Sequence, residues 1–162
     1  MSDIVMSLFT RLLVGVDGSD GSTRALEWAA AVAANTDAEV IAAHILTYDR
    51  EFGRDLTLDT MRPWRRELEH DLRTKWTEPL RLASVPYHCV LFEAESCATG
   101  LAKLADQEGA DLIVVGSNGH GRITGRVLRG VRDRLAHHAR RPLVVVPSSW
   151  SQRELRCAQT VS

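Results

Sequence analysis

A glycine-rich turn, Gly116-Ser117-Asn118-Gly119-His120-Gly121, follows directly on the apolar run Leu112 to Val115 and precedes a stretch with helical spacing. A buried strand that feeds such a turn and then a helix presents backbone N–H groups to an anion. Glycine permits the close approach because no Cβ stands in the way. The chemistry this suits is the holding of a phosphate group. A second turn, Asp17-Gly18-Ser19-Asp20-Gly21, follows the apolar run Leu12 to Val16. Asp17 there is either a ligand contact or a cap of its own turn and the following helix.

Other chemistry fails on spacing. Gly119-His-Gly-Arg-Ile-Thr-Gly125 is a partial dinucleotide fingerprint, but its third glycine is displaced and it does not open the first strand–helix unit. Gly116-Ser117-Asn118-Gly119 lacks the one-residue flanks of a nucleophile elbow. His137 and His138 are adjacent on a helix, point to different faces and have no nearby cysteine or carboxylate cluster, so they make no metal site. His44, inside an apolar run, reads as a satisfied core histidine. Cys89, Cys97 and Cys157 are odd in number and have neither metal-ligand nor redox spacing, which fits a reducing cytosol. The segment from His120 to Arg141 carries seven arginines against Asp133. It reads as a solvated helix face, and with no aromatic residues interleaved it does not support nucleic-acid binding.

The elements that must position these residues alternate regularly. Leu12 to Val16, Ala38 to Leu46, Val85 to Phe92, Asp111 to Val115 and Leu143 to Val146 read as buried strands. Between them lie four helical patterns. The first opens at Ser19 or Asp20 with Ala25, Leu26, Ala29, Ala30, Val32 and Ala33 inward; residues 47–57 read as a loop. A long segment from Leu58 to Leu82 has a stripe of Met61, Trp64, Leu68, Leu72, Trp76 and Leu80, which reads as core-facing, and Pro79 should kink or close it. A third opens at Glu95 or Ser96 and stops at Gly109, and a fourth runs from about Thr124 to Ala139. The expected fold is α/β, an open five-stranded parallel sheet with helices on both faces. Ligands of such sheets bind beyond the strands' carboxyl ends where strand order reverses. If the first and fourth strands are neighbours, the two turns form one crevice.

The 162 residues are expected to make one domain over 11–147, with a leader over 1–10 and a tail over 148–162. A net charge of −1 gives no global field for nucleic acid or anionic membrane. No run has spanning length and the N-terminus is a poor secretory signal, so the protein is expected in the cytoplasm.

Val14-Gly-Val-Asp-Gly-Ser19, Ala38-Glu-Val-Ile-Ala-Ala-His44, Gly109-Ala-Asp-Leu-Ile-Val-Val-Gly-Ser-Asn-Gly-His-Gly121 and Arg141-Pro-Leu-Val-Val-Val146 together resemble the universal stress protein family, in family order over about residues 11–147. The Trp-bearing segment around Trp64 and Trp76 is similar to single-domain actinobacterial members. The resemblance implies a homodimer joined through the last strand, Leu143 to Val146, a possible regulatory protein partner, and ATP (with Mg²⁺) as the ligand of those members that bind one. In the binders, the position of Asp17 contacts the ribose and a backbone group at the position of Ile45 meets the adenine. The phosphates lie on Gly-x-x-Gly, nine residues, then Gly followed by Ser or Thr. Gly116 and Gly119 match the first pair, and His120 and Gly121 follow them in the turn.

After the nine residues, however, stand Arg129 and Gly130. Losing the hydroxyl costs about 0.5–1.5 kcal/mol, up to about tenfold in affinity. Arg129 either fills the phosphate site or reaches the phosphates as a charged donor contributing roughly 1.5–3 kcal/mol per contact. The implied function is that of an ATP-binding stress or regulatory protein without fast catalysis. The alternative is a ligand-free interaction module of the same fold, with its phosphate motif degraded at Arg129-Gly130. Nothing resembles a general base over a γ-phosphate, so at most a weak ATPase is expected, with Asp17 or His120 near the phosphates.

Overall fold

A computed structural model describes residues 8–47, 58–117 and 126–152, with backbone alone at 58–60 and 126–129. The strands are β1 (Arg11–Gly15), β2 (Glu39–Leu46), β3 (Tyr87–Glu93), β4 (Leu112–Gly116) and β5 (Leu143–Val146). They form one parallel sheet in the order β3-β2-β1-β4-β5. The expected fold class is therefore the observed one. Leu12, Leu13 and Val14 in β1 and Ile113 and Val114 in β4 have no exposed surface. That is why these runs are continuous rather than alternating: a parallel sheet is covered on both faces.

One face carries α1 (Asp20–Thr36) and the segment after β2; the other carries α4 (Cys97–Glu108) and α5 (Arg126–His138). Leu12, Val14, Val40 and Ala42 pack with Ala25, Leu26, Ala29 and Ala33 of α1, while Leu13, Ile41 and Ile113 pack with Leu101, Leu104 and Leu135 of α4 and α5. Ser19, not Asp20, caps α1: its Oγ accepts from the Ser22 N–H at 3.2 Å. Ser96 caps α4 in the same way, and Gly109 closes it at φ 63°.

The segment Leu58 to Leu82 is interrupted just before Pro79, in keeping with a kink, rather than closed by it. It comprises α2 (Leu58–Asp71), a π-helical turn (Leu72–Trp76) and α3 (Glu78–Leu82), with Pro79 in the first turn of α3. Proline has no N–H and its ring clashes with the carbonyl four residues back, here that of Lys75, so the ladder widens before Pro79 instead of ending at it. The Thr77 hydroxyl donates to the Leu72 carbonyl at 2.9 Å. The apolar stripe is core only at its end. Leu72 and Leu80 are fully buried, whereas Met61, Trp64 and Leu68 are only partly buried.

At the amino end of the sheet, Asp111 Oδ2 accepts from the Thr10 N–H (2.7 Å), the Thr10 hydroxyl (2.8 Å) and the Arg11 N–H (3.0 Å). Desolvation pushes its carboxyl up. The three hydrogen bonds, with Arg141 nearby, outweigh that and hold it below the usual carboxylate range.

Candidate functional site

From β1 the chain builds outward through β2 and β3, then crosses to place β4 and β5 on the other side of β1. The reversal falls between β1 and β4, which pair in the register Leu12 to Leu112, Leu13 to Ile113 and Val14 to Val114. The turn after each strand therefore emerges at the same end of the sheet, side by side. This is the crevice that the two motifs require.

Within it, Asp17 Oδ1 accepts from the Ser19 N–H at 3.0 Å and from the Ser19 hydroxyl. Ser19 Oγ in turn accepts from Ser22, and Gly18 takes φ 77° to let the chain turn into α1. Capping of the Gly18-Ser19 turn by Asp17 is thus realised.

Gly116 is required for a reason other than phosphate approach. A Cβ there would lie 2.3 Å from the Gly21 carbonyl oxygen and 2.4 Å from its carbon. The glycine lets the first turn of α1 seat directly on the end of β4, which brings the positive end of that helix to the crevice. The next residue, Ser117, donates its N–H to the Val146 carbonyl at 2.8 Å, while its buried Oγ has no partner among the described residues.

Ile45 sits at the carboxyl end of β2. Its side chain is buried under α4, where a Cβ on Gly100 would meet Ile45 Cγ2 at 2.6 Å, so only its backbone is left for a ligand. The ladder between β1 and β2 has its last rung in the Val16 N–H to the Ala43 carbonyl, 2.8 Å. The next rung of a parallel ladder would be the Ile45 N–H to the Val16 carbonyl. Instead that carbonyl lies 2.7 Å from His44 Nδ1. The imidazole takes the place of the rung at the carboxyl end of the β1–β2 ladder. His44 is buried, packs its ring against Trp76 at a centroid distance of 5.3 Å, and leaves Nε2 without a partner among the described residues. It is thus a half-satisfied core histidine, not a satisfied one. Trp76 lies with its indole over Gly18, where a Cβ would come within 2.7 Å of the ring. His44, Trp76 and Ser117 are the crevice residues that sequence reasoning passed over. The one available signal was an imidazole late in an otherwise apolar strand.

Of the remaining expected positions, Gly119, His120 and Gly121 lie outside the described residues. Arg129 and Gly130 lie within α5, and a Cβ on Gly130 would meet nothing within 4 Å. The described part of the site thus brings together Asp17, Ile45 and Gly116. Among the described residues no group of His, Cys, Asp and Glu could hold a metal ion, and no helix is long and apolar enough to cross a membrane.

The sequence pattern of the universal stress protein family matches residues 8–147. Universal stress protein Rv1636 of Mycobacterium tuberculosis is 28% identical over 155 residues, covering 87% of this chain and 98% of the relative. A universal stress protein solved in complex with cAMP superposes with a TM-score of 0.66 at 27% identity, covering 87% of this chain and 98% of the other. The Archaeoglobus fulgidus universal stress protein in complex with dAMP has the same fold, with a TM-score of 0.61 at 18% identity over 86% of this chain and 98% of the other. With the family pattern running from Leu8 through the end of β5, the chain belongs to the universal stress protein family.

Proposed function

We propose that this protein binds an adenine nucleotide, ATP with Mg²⁺ in the first instance, in the crevice between the ends of β1 and β4. It acts as a cytoplasmic stress or regulatory protein without fast catalysis. The observation that carries the reading is the pairing of β1 with β4, which sets the Asp17 turn beside Gly116 where the strand order reverses. The cAMP complex of a relative at 27% identity supports a nucleotide as the ligand class. In this reading Asp17 meets the ribose and the Ile45 backbone meets the base. Gly116, Gly119, His120 and Gly121 cradle the phosphates, with Arg129 as a charged donor to them. A homodimer through β5 fits the position of that strand: it is an edge of the sheet, and Leu143, Val144 and Val145 are only partly buried within one chain.

A second reading, a ligand-free interaction module, is favoured by one observation. Gly130 lies inside α5 with open space at its Cβ, so it makes no close approach to a described residue. Isothermal titration of nucleotide-free protein with Mg·ATP decides between the two. Saturable heat is expected, whereas no heat and no thermal-shift response at millimolar ATP would leave the interaction module. The double variant Arg129→Gly/Gly130→Ser then reports on the motif. Weaker binding marks Arg129 as a phosphate ligand, and stronger binding marks the natural motif as lapsed. Sedimentation at several concentrations tests the dimer, and phosphate release no faster than buffer removes the weak-ATPase variant.

A further inference from the structure

We propose that His44 is a recognition residue of this crevice, its Nε2 accepting a hydrogen bond from an N–H or O–H donor on the nucleoside part of the ligand. The proposal rests on the nucleotide-binding reading above and goes beyond it by assigning a role to this side chain.

The argument starts from the hydrogen bond at the other end of the ring. A carbonyl oxygen only accepts, so the 2.7 Å contact with Val16 requires the proton on Nδ1. In the neutral ring Nε2 is then a bare acceptor. It belongs to a residue only 8% exposed and has no partner among the described residues. Buried acceptors are rarely left open in a folded protein, since nothing then offsets their desolvation, and exceptions concentrate where a ligand or an ordered water completes them. The surroundings favour a ligand. The ring sits between the Val16 carbonyl, where β1 leaves the sheet, and the Trp76 indole, which lies over Gly18. One neighbour leads into the Gly18 turn and the other packs over it. Asp17, the other side chain at this end, is also an acceptor. Two acceptors beside the positive N-terminal end of α1 suit a ligand that bears donors in one part and an anionic group in another. A nucleotide has this polarity, with its hydroxyls and amino group opposite its phosphates, whereas a bare polyphosphate has only the anionic end.

The test compares ATP with inorganic tripolyphosphate on the full-length protein, each titrated against wild type and His44→Asn. The asparagine amide can still donate to the Val16 carbonyl but has no atom at the Nε2 position. The expected result is a loss of about tenfold in ATP affinity with tripolyphosphate affinity held to within about twofold. Equal losses for both ligands would make His44 a structural residue and overturn the proposal. Unchanged ATP affinity would also overturn it, by showing that Nε2 is served by a buried water. If wild type binds neither ligand, the nucleotide reading itself falls, and this proposal with it. Should the asparagine variant not fold, His44→Gln, whose amide reaches toward the Nε2 position, is compared in the same way. There, ATP affinity nearer wild type than that of His44→Leu is the supporting result, and equal ATP affinity in the two variants overturns the proposal.

Discussion

Replacing Gly116 with alanine tests whether the crevice is built by direct seating of α1 on β4. The added Cβ would lie 2.3 Å from the Gly21 carbonyl oxygen, 2.4 Å from its carbon and 3.0 Å from its Cα. Even a close C–H···O contact keeps its carbon and oxygen about 3.3–3.6 Å apart, so the overlap is roughly 1 Å. It is an overlap of backbone with backbone, which no side-chain rotation relieves. Gly116 does not take a positive φ, so alanine brings no conformational strain there and would otherwise stabilise by about 0.4–1 kcal/mol through the unfolded chain. Overpacking of this kind costs typically 1–3 kcal/mol, and the clash wins. For a chain of this length each kcal/mol moves Tm by about 2–4 °C, so a 2 kcal/mol loss lowers it by roughly 4–8 °C. Gly130→Ala supplies the control. It lies in α5 with open space around its Cβ, and alanine in a helix is favoured over glycine by about 0.5–1 kcal/mol. Paired calorimetric or circular-dichroism melts should move in opposite directions. If Gly116→Ala melts at or above wild type, α1 does not sit on β4 as described, and the geometry of the crevice is wrong.

Gly18→Ala should lower stability by about 1–2 kcal/mol through its φ of 77° alone, with a further loss from Trp76, whose ring lies 2.7 Å from the new Cβ. Adding Trp76→Leu should relieve the second part but not the first, which a double-mutant cycle of urea melts would resolve; strict additivity would refute the contact. Asp111 has a folded pKa below its unfolded value, so its contribution to stability is present above the usual carboxylate range and lost as pH falls through the folded value. Asp111→Asn should therefore be less stable than wild type at pH near 7. The gap should close as the solution is acidified below the carboxylate range, and a gap that widened instead would contradict the sign of the shift.

Much of the frame was legible along the chain. Leu12 to Val14 and Ile113 to Val114 read as buried strands because a doubly covered strand needs unbroken apolar residues. Ser19, Ser96 and Gly109 read as helix ends because capping is a matter of a few adjacent residues. Asp17 and Gly116 were found because the chemistry of a turn is also local. Whether Pro79 kinks or closes its segment was not legible, because proline acts on the carbonyl four residues earlier and the ladder there has two ways to adjust.

Sequence alone determined the α/β class, the two turns and the break in the phosphate motif at Arg129 and Gly130, since each depends on residue type and spacing. It left open whether the turns meet, because any order of five parallel strands satisfies the same hydrophobic pattern. Only the tertiary structure decided that, by pairing β1 with β4. It also decided the roles of Gly116 and His44. One is read as a phosphate glycine and serves as the seat of a helix; the other is read as a core residue and displaces a rung of the sheet. The physical reason is the same in both cases: what these residues do is set by backbone atoms of Gly21 and Val16, far off in sequence and adjacent only once the sheet has formed.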